Sequence, residues 1–378
     1  MKFEVMRDSL LEGLNDVMKA VSSKTTIPIL TGLKLEVTEK GLYLTGSDSD
    51  ITIQTFLPVE KDGEQIIQVI EPGTIVLQAK MFNEIIRKLP TNDVVIEVTN
   101  YFQTNIRSGK TEFNLIGLDA SEYPLLPQLE EEHQFFMPSD LLKSIIRETV
   151  FAVSTSESRP VLTGVNWVVK GGELNCVATD SHRLAKRKTA LKDLPEEEYS
   201  IVIPGKSLNE LNKILEETSS EVAIVMTQQQ ILFKAENVLF YSRLLEGNYP
   251  DTSRLIPSEY KTTIVVNGKS LLQAIDRASL LAREERNNVV RFSTVEQGYV
   301  EVSSNSPEIG KVEEQILAET IDGEDLKISF SAKYMMDALK AIDGQDVKIL
   351  FTGAMRPFVL KSVHDDSILQ LILPVRTY

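Results

Sequence analysis

Asp180, Ser181 and His182 stand side by side in ATDSHRLA, and an acid, a hydroxyl and an imidazole are the parts of a hydrolytic triad. Their adjacency argues against that chemistry. Neighbours on a strand point to opposite faces, and no nucleophile elbow surrounds the serine. Asp48 and Asp50, in SDSD, could ligate a cation. No His or Glu cluster accompanies them, and aspartates at strand ends more often hold turns. Three histidines, His133, His182 and His364, are too few to point to zinc. The single cysteine, Cys176, lies in the alternating stretch ELNCVAT, where a buried structural thiol is expected. There is no P-loop pattern. The expectation is a non-catalytic chain with no cofactor and no metal.

The elements that carry these residues repeat. IPILTG (27–32) and RPVLTG (159–164) are 132 residues apart, and so are Asp48 and Asp180. Between each motif and its aspartate the sequence alternates like a β-hairpin, turning at Lys40-Gly41 in one copy and Gly171-Gly172 in the other. Helical periodicity precedes each copy, at 9–23 and 140–154, and recurs at 269–284. A second helix follows at 79–89, 205–215 and 332–342, each leading into strand-like sequence. The third counterpart of the hairpin, NNVVRFSTVEQGYVEVSSN, lacks the threonine-glycine pair. The chain reads as three copies of one α+β unit of two helices on antiparallel strands, with boundaries in proline-marked stretches. The expected domains are 1–128, 129–254 and 255–378.

The 378 residues are 42% hydrophobic and 25% charged, with a net charge of −15. No apolar run approaches a membrane span, and the first residues lack an apolar signal core. With one cysteine, a reducing cytoplasm is the expected location. The acidic total argues against nucleic acid, but its distribution does not. Six helical windows sum to +5, which leaves −20 elsewhere. Basic helices on an acidic chain could face a polyanion and meet it through phosphates. Lysine is also simply a good helix former.

From MKFEV to LILPVRTY the sequence resembles the bacterial DNA polymerase III beta subunits, the replicative sliding clamps. IPILTG, TGSDSD, ATDSHRLA, NYPD and the terminal LPVR carry the resemblance. It implies three clamp-type domains per chain and a head-to-tail homodimer forming a closed ring lined by helices. Double-stranded DNA would pass through it without sequence preference. The ring would tether the replicative polymerase to its template and dock a clamp loader and repair proteins. A different class remains open: a repeat scaffold that binds proteins and never encircles DNA.

The resemblance also implies a hydrophobic pocket for short peptides. Its matching positions are Leu162, Thr179, Ser181, His182, Arg183 and Leu184, then Pro250, Arg254 and Leu255. Tyr334, Met355, Pro357, Leu373, Pro374, Val375 and Arg376 complete them. Leu, Met and Pro would form an apolar slot, while Arg183, Arg254 and Arg376 would anchor carboxylates or carbonyls. Many relatives carry glycine where Ser181 stands. For DNA, Lys24, Arg159 and Lys206 match. Lys80, Arg87, Lys88, Lys143, Arg147, Lys213, Arg277, Lys333 and Lys340 are further candidates from helix charge.

Overall fold

The computed structural model describes residues 1–22, 24–127, 134–192, 194, 198–282, 288–343 and 346–376; His133 and part of the first expected boundary lie outside them. The first repeat begins with β1 (Lys2–Met6), α1 (Arg7–Val17), β2 (Gly32–Thr38), β3 (Gly41–Ser47) and β4 (Ile51–Pro58). A small hairpin, β5 (Glu60–Lys61) and β6 (Glu64–Gln65), leads to β7 (Ile67–Glu71), β8 (Gly73–Gln78) and α2 (Ala79–Lys88). β9 (Asp93–Val98), β10 (Gln103–Ser108) and β11 (Thr111–Ile116) close it.

The second repeat runs β12 (Gln134–Pro138), α3 (Ser139–Thr149), β13 (Gly164–Lys170), β14 (Glu173–Thr179), β15 (Arg183–Ala190) and β16 (Tyr199–Pro204). It ends with α4 (Gly205–Asn212), β17 (Glu221–Met226), β18 (Gln230–Ala235) and β19 (Val238–Arg243). The third runs β20 (Thr262–Asn267), α5 (Gly268–Ala282), β21 (Val289–Val295), β22 (Tyr299–Ser306), β23 (Gly310–Leu317) and β24 (Thr320–Gly323). β25 (Lys327–Ser331), α6 (Ala332–Ala341), β26 (Asp346–Phe351), β27 (Phe358–Ser362) and β28 (Ile368–Ile372) complete it.

All six expected helices form. α1 and α3 are shorter than their periodicity predicts, because each tightens into a 3-10 turn, at Met18–Ala20 and Val150–Ala152. Pro28 and Pro160 then open a second 3-10 turn that delivers the LTG glycine to the next strand. That glycine is required by packing: a Cβ on Gly164 would lie 2.7 Å from the Ile203 carbonyl oxygen, and one on Gly32 would lie 3.0 Å from that of Leu77.

The chain forms two compact units, Met1–Asp140 with Lys213–Leu244, and Leu141–Asn212 with Leu245–Tyr378. They cut across the repeats because sheets continue from one repeat into the next. In the first unit, β12-β17-β18-β19-β4-β3-β2-β8 is one sheet, and β11-β10-β9-β1-β7 another. In the second unit, the orders are β16-β13-β14-β15-β28-β27-β26-β20-β24 and β23-β22-β21-β25. The joining pairs are β4–β19, with Thr52 opposite Tyr241, and β15–β28, with Leu184 opposite Leu371. Both are closed alike: Arg243 N donates to Asp50 O at 2.9 Å, and Leu373 N to His182 O at 2.9 Å.

In repeat register β11 corresponds to β19 and β28, and β23 to β4 and β15. Among the described residues β11 and β23 have a neighbour on one side only. The second unit's core is fully buried, with Phe292, Phe330, Phe351 and Phe358 in ring contact at 5.2–6.3 Å. α5 and α6 pack over it. Cys176 is buried as expected, and burial pushes its thiol pKa up.

Candidate functional site

The DSD and DSH aspartates hold turns. Asp180 Oδ1 accepts from His182 N at 2.9 Å and Arg183 N at 3.0 Å. Asp48 Oδ1 accepts from Asp50 N at 3.1 Å and Ile51 N at 2.8 Å. Ser181 and Ser49 both sit in the left-handed region, with φ of 75° and 82°. That backbone costs a non-glycine residue about 1–2 kcal/mol and explains why glycine suits position 181. Thr179 N donates to the Tyr249 hydroxyl at 3.0 Å. Burial raises that phenol's pKa. Among the described residues no cluster of three or more His, Cys, Asp or Glu could hold a metal.

β15 presents two different faces. On the face away from the helices, Leu184 packs with Val177, Leu350, Val359 and Leu371, and with half-buried Tyr249, Ile256, Tyr260, Leu369 and Leu373. The strand period of two places Leu369, Leu371 and Leu373 together. Leu184 and Leu373 are expected residues in this floor, and others belong to segments adjoining its residues. Leu255 is 51% exposed, in the segment that also brings Ile256; Met355 is 55% exposed, in the turn between β26 and β27. In that turn Thr352 Oγ1 donates to Pro357 O at 3.1 Å. Pro374 and Val375 are half-buried after β28, where Val375 N donates to Ser329 O at 2.8 Å. Leu162 is buried, Pro250 is exposed, and Ser181 and His182 stand exposed on the turn. Arg254 is almost fully exposed beside Asp251, and Arg376 is exposed.

Arg183, another of the expected residues, is engaged within the chain. Its guanidinium lies on the helix side of β15 and is spent inside the chain. Nε donates to Asp180 Oδ2 at 3.0 Å, Nη1 to Asp337 Oδ2 at 2.7 Å, and Nη2 to Phe151 O at 2.6 Å. The group is sandwiched 5.3 Å from the Phe151 ring and 4.4 Å from the Tyr334 ring. Arg183 and Tyr334 therefore brace the strand whose other face carries Leu184. Four residues further along the same face, Arg187 Nε is 3.3 Å from Glu148 Oε2 and Nη1 is 2.7 Å from Asp365 Oδ2. Gln370 Nε2 donates to Glu148 O at 3.1 Å. Glu148 is buried, and burial outweighs its Ser144 hydrogen bond and Arg187 to raise its pKa.

Sequence reasoning missed Phe151, Tyr249, Ile256, Asp337, Leu350, Val359 and Leu371. Tyr249 had a signal: Tyr-Pro occurs at 123–124 as well as 249–250, and Tyr123 is buried against the first copy of the same turn. The alternation of β28 pointed to Leu371.

Lys24, Arg159 and Lys206 are exposed; Lys24 precedes the turn at Pro28 and Arg159 the turn at Pro160. Lys206 has equivalents. Lys80, Lys206 and Lys333 are each the second residue of α2, α4 or α6, and Arg87, Lys213 and Lys340 follow seven residues later. Residues seven apart share a helix face on α2 and α6, Lys213 directly follows α4, and all six are exposed. Of the remaining candidates, Arg277 Nε donates to Glu314 Oε2 at 2.8 Å, Lys143 Nζ to Asn212 O at 3.3 Å, and Lys88 pairs with Glu84 at 3.8 Å.

The N-terminal, central and C-terminal domain descriptions of the DNA polymerase III beta subunit match residues 1–127, 136–251 and 253–376. The chain belongs to the DNA polymerase III beta subunit family. A Bacillus subtilis protein named beta sliding clamp is 61% identical over 379 residues, covering 100% of both chains. The crystal structure of the Bacillus subtilis sliding clamp matches with a TM-score of 0.97, at 61% identity and full coverage of both chains. A Pseudomonas aeruginosa sliding clamp bound to griselimycin matches at 27% identity, also over both full chains, with a TM-score of 0.92. The family carries the three α+β clamp domains read from the repeats.

Proposed function

We infer that this chain is a DNA sliding clamp, a non-catalytic accessory subunit of the replicative DNA polymerase. Two copies join head to tail into a closed ring around duplex DNA. The observation that carries this reading is the pair of spare strands. Among the described residues the chain joins repeat to repeat at β4–β19 and β15–β28, and β23 and β11, the counterparts of these strands, each lack a second neighbour. Ile116 on β11 is 83% exposed and Leu317 on β23 is 62% exposed. A third joint of the same kind links β23 of one copy to β11 of the next, and such a heterologous contact closes when the rotation permits. Two copies supply six repeats. Light scattering tests this: the expected mass is twice the 42.4 kDa of the chain, and a monomer at micromolar concentration overturns it.

The six exposed cations recurring on α2 and α6 and on or directly after α4, with Lys24 and Arg159, support loose phosphate contact. A sliding ring needs attraction without base reading. Retention is topological, and the tethered polymerase gains from effective concentration. The absence of a P-loop pattern assigns opening to a separate loader. The apolar floor around Leu184 and Leu371, flanked by Met355, Leu255 and Pro374, supports docking of short apolar peptides from polymerase, loader and repair proteins, with Arg254 and Arg376 available to their carboxylates. Met355→Ala or Pro374→Ala weakens that binding about tenfold without changing the mass of the particle. We place the domains at 1–128, 129–254 and 255–378. Among the described residues no helix is long and apolar enough to cross a membrane, and a replication clamp acts in the cytoplasm.

A further inference from the structure

The first helix of each repeat crosses the inner face of one strand, and the three crossings differ in charge. The 132-residue offset sets Asp16 and Thr55 where the second repeat has Glu148 and Arg187, and strand register places Glu314, with Arg277 on α5, at the same point of the third. Two crossings hold an ion pair: Arg187 Nε is 3.3 Å from Glu148 Oε2, and, with the signs exchanged, Arg277 Nε donates to Glu314 Oε2 at 2.8 Å. The first cannot, because Thr55 carries no charge. Arg187 also bridges α3 to the turn before β28, where Nη1 donates to Asp365 Oδ2 at 2.7 Å. The first joint keeps both acids of that arrangement, Asp16 on α1 and Glu236 in the turn before β19. The two turns are equivalent, since Phe56 N donates to Asn237 O as Lys188 N does to Ser367 O, both at 2.9 Å.

Where the second repeat has its guanidinium, the first has a cavity of about 720 Å³ among α1, β4 and that turn. Six carboxylates line it, Glu12, Asp16, Asp62, Glu64, Glu216 and Glu236, against three lysines. Lys19 Nζ pairs with Asp16 Oδ1 at 3.0 Å, but Glu236 and Glu12, one turn before Asp16 on α1, have no ion-pair partner among the described residues. Thr55 lines the cavity and is 6% exposed, and its Oγ1 has no hydrogen-bond partner among the described residues. A buried hydroxyl left in that state is costly, and a donor brought by a ligand satisfies it. We propose that this cavity binds a small aliphatic cation ending in a guanidinium or ammonium group, whose charged end stands in for the missing arginine among Asp16, Glu236 and the Thr55 hydroxyl. The forked donors of a guanidinium serve two carboxylates and a hydroxyl at once. The cavity's volume, in the ordinary range for small-molecule sites, and its further carboxylates suit a second cationic group on a short chain. Bound there, the ligand ties α1 to the second repeat as Arg187 ties α3 to the third.

The probe is agmatine, a guanidinium and an ammonium joined by four carbons, titrated calorimetrically into the full-length protein at low salt. One agmatine per chain is expected, with a rise in melting temperature that grows with its concentration. Thr55→Arg supplies the guanidinium from the chain itself and is expected to abolish the site. Glu236→Gln, at an exposed turn, is expected to weaken binding about tenfold. Should Thr55→Arg fail to fold, Glu236→Gln decides alone. No binding to the native chain, or unchanged affinity in Glu236→Gln, overturns the proposal. Several weakly held agmatines per chain that a folded Thr55→Arg variant retains would show diffuse attraction to an acidic protein, and overturn it as well.

Discussion

Arg183 and Asp337 lie on different repeats, yet Arg183 Nη1 donates to Asp337 Oδ2 at 2.7 Å, with the arginine side chain 8% exposed. The pair ties β15 to α6 beneath the apolar floor. Asp337→Ala leaves a buried cation with one carboxylate, Asp180, instead of two. The expected cost is about 2–3 kcal/mol, less than for a pair deprived of its sole partner. Urea unfolding measures it.

Ser181 sits at φ 75°, where glycine is unstrained. Ser181→Gly is expected to stabilise the chain by about 0.5–1 kcal/mol, while Ser181→Val, β-branched, costs about 1–2 kcal/mol. Thermal unfolding of the two variants should move in opposite directions from the native chain.

Glu148 titrates in the opposite sense from an ordinary salt-bridged acid. Burial raises its folded pKa above the usual 4.5, so the folded chain holds that proton more tightly than the unfolded one. Its charged form therefore carries a penalty above the folded pKa, and acidification towards 4.5 relieves it. Glu148→Gln has no such titration. Relative to that variant, the native chain should gain stability as pH falls from 7 towards 5, in urea unfolding at several pH values.

Neutralising Lys80, Lys206 and Lys333 together should weaken binding to linear duplex. It should also lower the slope of log affinity against log salt by as much as about 0.9 for each phosphate that no longer meets a cation. Arg277→Ala is expected to leave that slope unchanged, because Glu314 already holds the guanidinium. Fluorescence anisotropy over a salt series separates the two.

The repeats were legible because a turn constrains sequence locally. Asp48 and Asp180 recur since each caps its own hairpin, and Gly32 and Gly164 recur since a strand passes too close for a Cβ. The six helices were legible from one buried face each. What was hidden depends on which side of a strand a residue points to relative to distant partners. Arg183 stands beside Leu184 in its motif, but one residue along a strand changes the face. Asp337, 154 residues away, could not be paired with it from spacing. The helix cations were visible only as a charge sum; their seven-residue pairing appeared once the three second helices were set in register.

The central claim is retention by enclosure, and it is tested most directly by loading the protein onto a nicked circular duplex with its loader. The complex is isolated at a salt concentration that abolishes binding to linear DNA, and the circle is then cut. The account predicts that the protein stays on the circle and is lost on linearisation. Equal retention before and after cutting would contradict it.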